Sequence, residues 1–156
     1  MKIPWVVLIL VLCAGLYGDD VVRLSPRFQT VYILEMSNAL DQHLASRLTN
    51  SHVLWVVLDP ASADAVLTES LDSGFQTWIQ RTYPPPADSP SKGEASSLLA
   101  QHSYGTPKRG TVFLVDPRKK IVLWSTSELP RNSSPAEADR VAMRMTNELK
   151  AAFGKK

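Results

Sequence analysis

Three histidines, one strand-end glutamate and a short basic run are the residues whose types suit chemistry in this sequence. Imidazole titrates near neutrality, so His43, His52 and His102 are each considered as a general base or a metal ligand. None has a second His or Cys at ligand spacing, and no metal or cofactor site is expected. Asp41 and His43 stand two apart on an expected helix, so they point to different faces and form no local dyad. The chain also lacks the G-x-S-x-G elbow, the G-x-x-x-x-G-K-[ST] phosphate loop, the G-x-G-x-x-G turn and the H-E-x-x-H helix. No catalytic residue is assigned on this basis.

Binding chemistry has more candidates. Glu35 closes the first expected strand, near the place where open α/β sheets take ligands; the plain alternative is a carboxylate in solvent. Next to it, the N–H groups at Ser37, Asn38 and Ala39 would face an anion at a helix start, or simply be capped there. Arg118, Lys119 and Lys120, with Lys108 and Arg109 nearby, suit a phosphate or a lipid headgroup; the alternative is a solvated turn that guards a sheet edge. Trp55, Trp78 and Trp124 fall in apolar patterns and are expected in the core. Asn132-Ser133-Ser134 matches the N-glycosylation pattern, but Ser134 already has a capping role.

The elements that must position these residues follow from periodicity. Val31 to Leu34 is a β-prone run, after which Leu40, Leu44 and Leu48 recur every four residues on one helical face. His52 to Leu58 is almost continuously apolar and is expected as a strand buried on both faces. Strand, helix and strand in that order predict a right-handed parallel crossover. Ala65 to Leu71 reads as a third strand, and Leu71, Phe75, Trp78 and Ile79 as the stripe of a second helix. Residues 84–110 are rich in Pro and Ser and are expected to be a mobile insertion. Val112–Val115 and Ile121–Trp124 predict a β-hairpin with a five-residue loop. Ser134-Pro135-Ala136-Glu137 reads as a capping box opening a last helix, with Val141, Met145, Leu149 and Phe153 as its apolar stripe. The expected fold class is therefore α/β, a single mixed sheet of about five strands in the order β-α-β-β-α-(long loop)-β-β-α, with the helices packed on the sheet.

Composition narrows the setting. The chain has 156 residues, 44% hydrophobic and 21% charged, with 17 basic against 15 acidic side chains and one cysteine. That supports one real core and excludes a disulfide framework and a polybasic nucleic-acid binder. Ile3 to Tyr17 is uncharged, follows Lys2 and precedes Asp19 and Asp20, the layout of a secretory signal. Cleavage is expected after Gly18, giving a signal peptide at 1–18 and one α/β domain at 19–156. A lipidated Cys13 and an uncleaved anchor are the competing readings.

The run Val53-Leu54-Trp55-Val56-Val57-Leu58-Asp59-Pro60, followed by Ala63-Asp64-Ala65-Val66-Leu67-Thr68, resembles a pattern of bacterial envelope proteins in which a strand leads into A-D-y-v-l-T-G. That pattern occurs in the periplasmic domain of the curli secretion channel, in lipoproteins that activate penicillin-binding proteins, and in the N-terminal domain of the Tol-Pal translocation protein. Leu40-Asp41-Gln42-His43-Leu44-Ala45-Ser46-Arg47-Leu48 and Phe113-Leu114-Val115-Asp116-Pro117 are similar to segments of uncharacterised secreted proteins of acidobacteria-like bacteria. This chain departs from the pattern in carrying Glu69 where the pattern has Gly. The resemblance implies a non-enzymatic module of the periplasm or cell envelope, acting by contact with an envelope protein, and it carries over no catalytic residue. A small secreted hydrolase using Glu35 or a histidine, and a membrane-surface module using the basic hairpin, are the alternatives.

Overall fold

The computed structural model describes residues 28–85 and 110–153. The expected signal peptide, most of the Pro/Ser-rich span, and with it His102, Lys108 and Arg109, lie outside the described residues. Among the described residues the helices and strands follow in the order β1 (Thr30–Ile33), α1 (Leu40–Ser51), β2 (Trp55–Val56), β3 (Ala65–Thr68), α2 (Ser73–Thr82), β4 (Thr111–Asp116), β5 (Ile121–Ser127) and α3 (Pro135–Phe153). The strands form one mixed sheet in the order β2-β1-β3-β4-β5. β1 runs parallel to both β2 and β3, while β3, β4 and β5 are successively antiparallel. The expected class and element order therefore hold.

Side-chain alternation along the strands divides the sheet into two faces. Val31, Ala65, Leu67, Val112 and Leu114 face α1 and α3, where Leu44, Leu48, Met145 and Leu149 are fully buried. Each such aliphatic side chain contributes about 1.5–3 kcal/mol on burial. Val66 and Val115 face the other way, against Phe75, Ile79 and Tyr83 of α2 and its C-terminal end. Tyr32 stacks on Trp78 there at 5.9 Å.

Several expectations need correction. The apolar run His52–Leu58 is not a strand buried on both faces, because only Trp55 and Val56 pair, at the outer edge of β1. β3 takes the other side of β1, so β2 is an edge; Trp55 is 63% exposed and Leu58 94%. The intervening chain passes through a 3-10 turn at Pro60–Ser62. It is tied down by Asp64, whose carboxylate accepts from the N–H groups of Gln29 and Thr30 at 3.0 Å and from the Thr30 hydroxyl at 2.9 Å.

β3 stops at Thr68 rather than Leu71, since the next residues turn toward α2, and Asp72 caps that helix by accepting from the Phe75 N–H at 2.9 Å. The hairpin strands run on to Asp116 and resume at Ile121, leaving a four-residue link in which Lys120 is left-handed (φ 57°). Opposite Leu114 and Val115 the ladder skips Leu123, and this bulge turns both Leu123 and Trp124 onto the first core. Gly110, at φ 85°, is required where β4 begins, because a Cβ there would lie 2.0 Å from the Glu128 carbonyl oxygen.

Candidate functional site

β1 leads into α1 on one face of the sheet and the adjacent parallel β3 leads into α2 on the other. Neighbouring parallel strands whose connections diverge leave a crevice outside their carboxyl ends, the usual ligand position of open α/β sheets. Glu35, Ser37 and Asn38 all sit at this end. Neither Ser37 nor Asn38 caps α1: a 3-10 turn over Ser37–Ala39 precedes the helix, and no side chain caps either segment. Asn38 and Ala39 are both left-handed, at φ 55° and 56°, which turns the chain sharply between β1 and α1.

The anion position at this turn is filled from within the chain. Glu69, just past β3, accepts from the Ser37 N–H at 3.0 Å and from the Ser37 hydroxyl at 2.9 Å. Glu35 is exposed and makes no such contact. Beside the turn lies a small, shallow, solvent-open cleft, bordered by Ser37, Asn38, Gly110, Asn132, Ser134 and Ala138. The start of α3 forms its far wall. There Ser134 donates both its N–H (2.9 Å) and its hydroxyl (2.6 Å) to Asn132 Oδ1, and accepts from the Glu137 N–H at 3.3 Å. The expected capping box is thus half formed. The Glu137 carboxylate turns instead to the Arg140 guanidinium and to the Arg131 N–H at 2.7 Å, and these donors bring its pKa down to about 2.

The basic run lies at the opposite end of the sheet, so the two groups of expected contacts are not one site. The Arg118 guanidinium donates to the carbonyls of Ala63 (3.3 Å) and Ala61 (3.4 Å), anchoring the hairpin on the Pro60 turn. Asp116 accepts from the N–H groups of Arg118 (3.0 Å) and Lys119 (2.9 Å), and its other oxygen is 3.9 Å from the Lys119 ammonium. Lys120 is exposed.

Two acidic residues that sequence reasoning missed tie elements together. Glu69 was visible only as the departure from Gly in the resembled pattern. Asp139 had no local signal, because Arg47, its partner, is 92 residues away. Arg47 grips both oxygens of Asp139, joining α1 to α3, and this hydrogen bonding holds the Asp139 carboxyl below its usual range. His43 Nδ1 stands 3.6 Å from the same carboxylate. A carboxylate so engaged by a guanidinium orients and neutralises charge rather than accepting a proton. His52 ends α1 in a left-handed conformation, exposed, with its ring edge-on to Trp55 at 6.1 Å. Among the described residues no group of three or more His, Cys, Asp or Glu gathers at metal-binding distance, and no helix is long and apolar enough to cross a membrane. No protein-family model matches the chain, and comparison with curated proteins and with solved structures finds no match either.

Proposed function

We propose that this chain is a non-enzymatic binding or accessory module, exported to the periplasm or cell envelope, that acts by contact with an envelope protein. The observation that carries the reading is the Glu69 carboxylate on Ser37. At the one place where this topology usually presents a helix start to an anionic ligand, the donors are already taken by the chain's own side chain. The cleft beside it is shallow, and the nearby Glu35 is exposed. What is left to recognise is surface shape and exposed side chains. The uncharged stretch from Ile3 to Tyr17, ending before Asp19, supports export.

The reading is tested by four single variants, Glu35→Ala, His43→Ala, His52→Ala and His102→Ala, each checked for folding and scored for complementation of a deletion strain. All four are expected to retain output. A general base lost to alanine lowers rate on the order of 100-fold or more, so one folded variant without output overturns the contact reading in favour of hydrolysis. Mass analysis of the exported protein is expected to show an N-terminus at Asp19; retention of Met1, or a lipid on Cys13, overturns the cleavage.

A further inference from the structure

We infer that the tip of the β4–β5 hairpin docks this module on an anionic lipid surface. The turn leaves Arg118, Lys119 and Lys120 exposed in succession. Their backbone is fixed from inside: the Asp116 carboxylate accepts from the Arg118 and Lys119 N–H groups, and the Lys120 N–H donates to the Asp116 carbonyl at 2.8 Å. The Arg118 guanidinium braces the turn on the carbonyls of Ala61 and Ala63. The tip is therefore ordered before any partner arrives, and binding has less conformational entropy to remove. Solubility alone requires no such bracing.

Among the described residues, Asp59, Asp64 and Asp116 share this end of the sheet, and each is engaged by backbone N–H groups. The Asp116 side chain is 7% exposed against 66% for Lys119, 3.9 Å away. Arg118 holds neutral carbonyls, which leave its charge in place, and among the described residues Lys120 has no carboxylate within ion-pair distance. Cations therefore stand outermost, where a plane of headgroups meets them first. Apolar side chains border them on both faces of the sheet. Val122, opposite Val115, lies on the α2 face and is 47% exposed; Ile121, opposite Asp116, lies on the other face and is 48% exposed. A short cation row bordered by aliphatic carbon matches the boundary of a bilayer, where phosphates lie above acyl chains. Nucleic acid fits less well, because three charges neutralise few phosphates and residues 116–122 hold no aromatic ring on which a base could stack.

Co-sedimentation of the exported protein with vesicles tests this, one set made of phosphatidylcholine alone and the other also containing phosphatidylglycerol. Lys119 and Lys120 alone are expected to favour the anionic set by at least about tenfold at about 0.1 M salt, a preference that falls as salt rises. Lys119→Glu combined with Lys120→Glu should abolish the preference. Circular dichroism checks that this variant is folded, and the corresponding Lys119→Gln and Lys120→Gln pair repeats the test if charge reversal disturbs the turn. Ile121→Ser should weaken retention on anionic vesicles and leave binding to soluble polyphosphate unchanged, which separates a bilayer from a polyanion in solution. Equal retention on the two sets of vesicles overturns the proposal, as does a preference indifferent to the lysine variants. Binding to duplex DNA or polyphosphate as tight as to anionic vesicles, with both indifferent to Ile121→Ser, overturns it as well. Each of these results leaves the contact reading above untouched, because that reading rests on Glu69 at the other end of the β-sheet.

Discussion

Glu69 and Glu137 fasten two chain reversals by the same means, a carboxylate accepting from backbone N–H groups. Such charge-assisted bonds are stronger than neutral ones, and removing the acceptor leaves the donor to water or to nothing. Glu69→Ala is therefore expected to lower stability by about 1–2 kcal/mol in urea unfolding. It should also free the Ser37 donors for an external anion, seen as a rise in melting temperature with added phosphate that wild type does not show. Glu137 has a folded pKa of about 2 against an ordinary value of 4.5. A carboxyl depressed in this way stabilises fully above its unfolded pKa, and the contribution is lost as pH falls through the folded value. Melting temperature should thus fall between about pH 4.5 and 2, with a shallower slope in Glu137→Gln. The slope is not abolished there, because Asp64, Asp72 and Asp139 are shifted in the same direction. Neither carboxylate's partner was legible in the sequence. The capping-box pattern points Glu137 to its own helix cap, but the carboxylate reaches the Arg140 guanidinium and the Arg131 N–H instead, because the guanidinium's charge-assisted hydrogen bonds are stronger than one to a neutral cap N–H.

At the scale of elements, legibility followed the strength of local periodicity. The Leu40, Leu44 and Leu48 stripe predicts α1, and all three are buried; Val141, Met145 and Leu149 do the same for α3. The run from His52 to Leu58 misled because apolar composition reports β-propensity and says nothing of sheet position. That position is set by which side of β1 each strand takes, a tertiary outcome. A pair of substitutions makes the contrast measurable. Leu44→Ala should cost about 2–5 kcal/mol through the cavity it leaves, whereas Leu58→Ser, at a site 94% exposed, should change stability by less than about 0.5 kcal/mol. Equal effects from the two would mean that Leu58 is covered in solution. At the start of α3, Ser134→Ala removes the acceptor of the Glu137 N–H and is expected to lower stability by about 1 kcal/mol, read from the urea midpoint. A neutral result would place the fastening of this helix in Asn132 and Glu137 alone.

The molecule as a whole is built unevenly about its sheet. Among the described residues, one face holds a contiguous cluster of fourteen buried residues under α1 and α3, and the other holds five, under α2. α1 and α3 are moreover joined by the Arg47 and Asp139 pair, while α2 is held largely by rings, with Trp78 touching Tyr32, Phe75 and Tyr83. α1, α2 and α3 each carry an amphipathic stripe, and among the described residues the inequality comes from their distribution: two helices share a face and bury each other as well as the sheet. Local opening follows the number of buried contacts that must be broken. Native-state hydrogen exchange should therefore show amides of Ser73–Thr82 exchanging through a sub-global opening of lower free energy than amides in the middle of α1 or α3. The latter two should share one value near the global unfolding free energy, because neither can leave without exposing the other's apolar face. If α2 proved as protected as α3, the aromatic face would be an equal partner in the core. Trp78→Ala would then unfold the whole chain rather than release one helix.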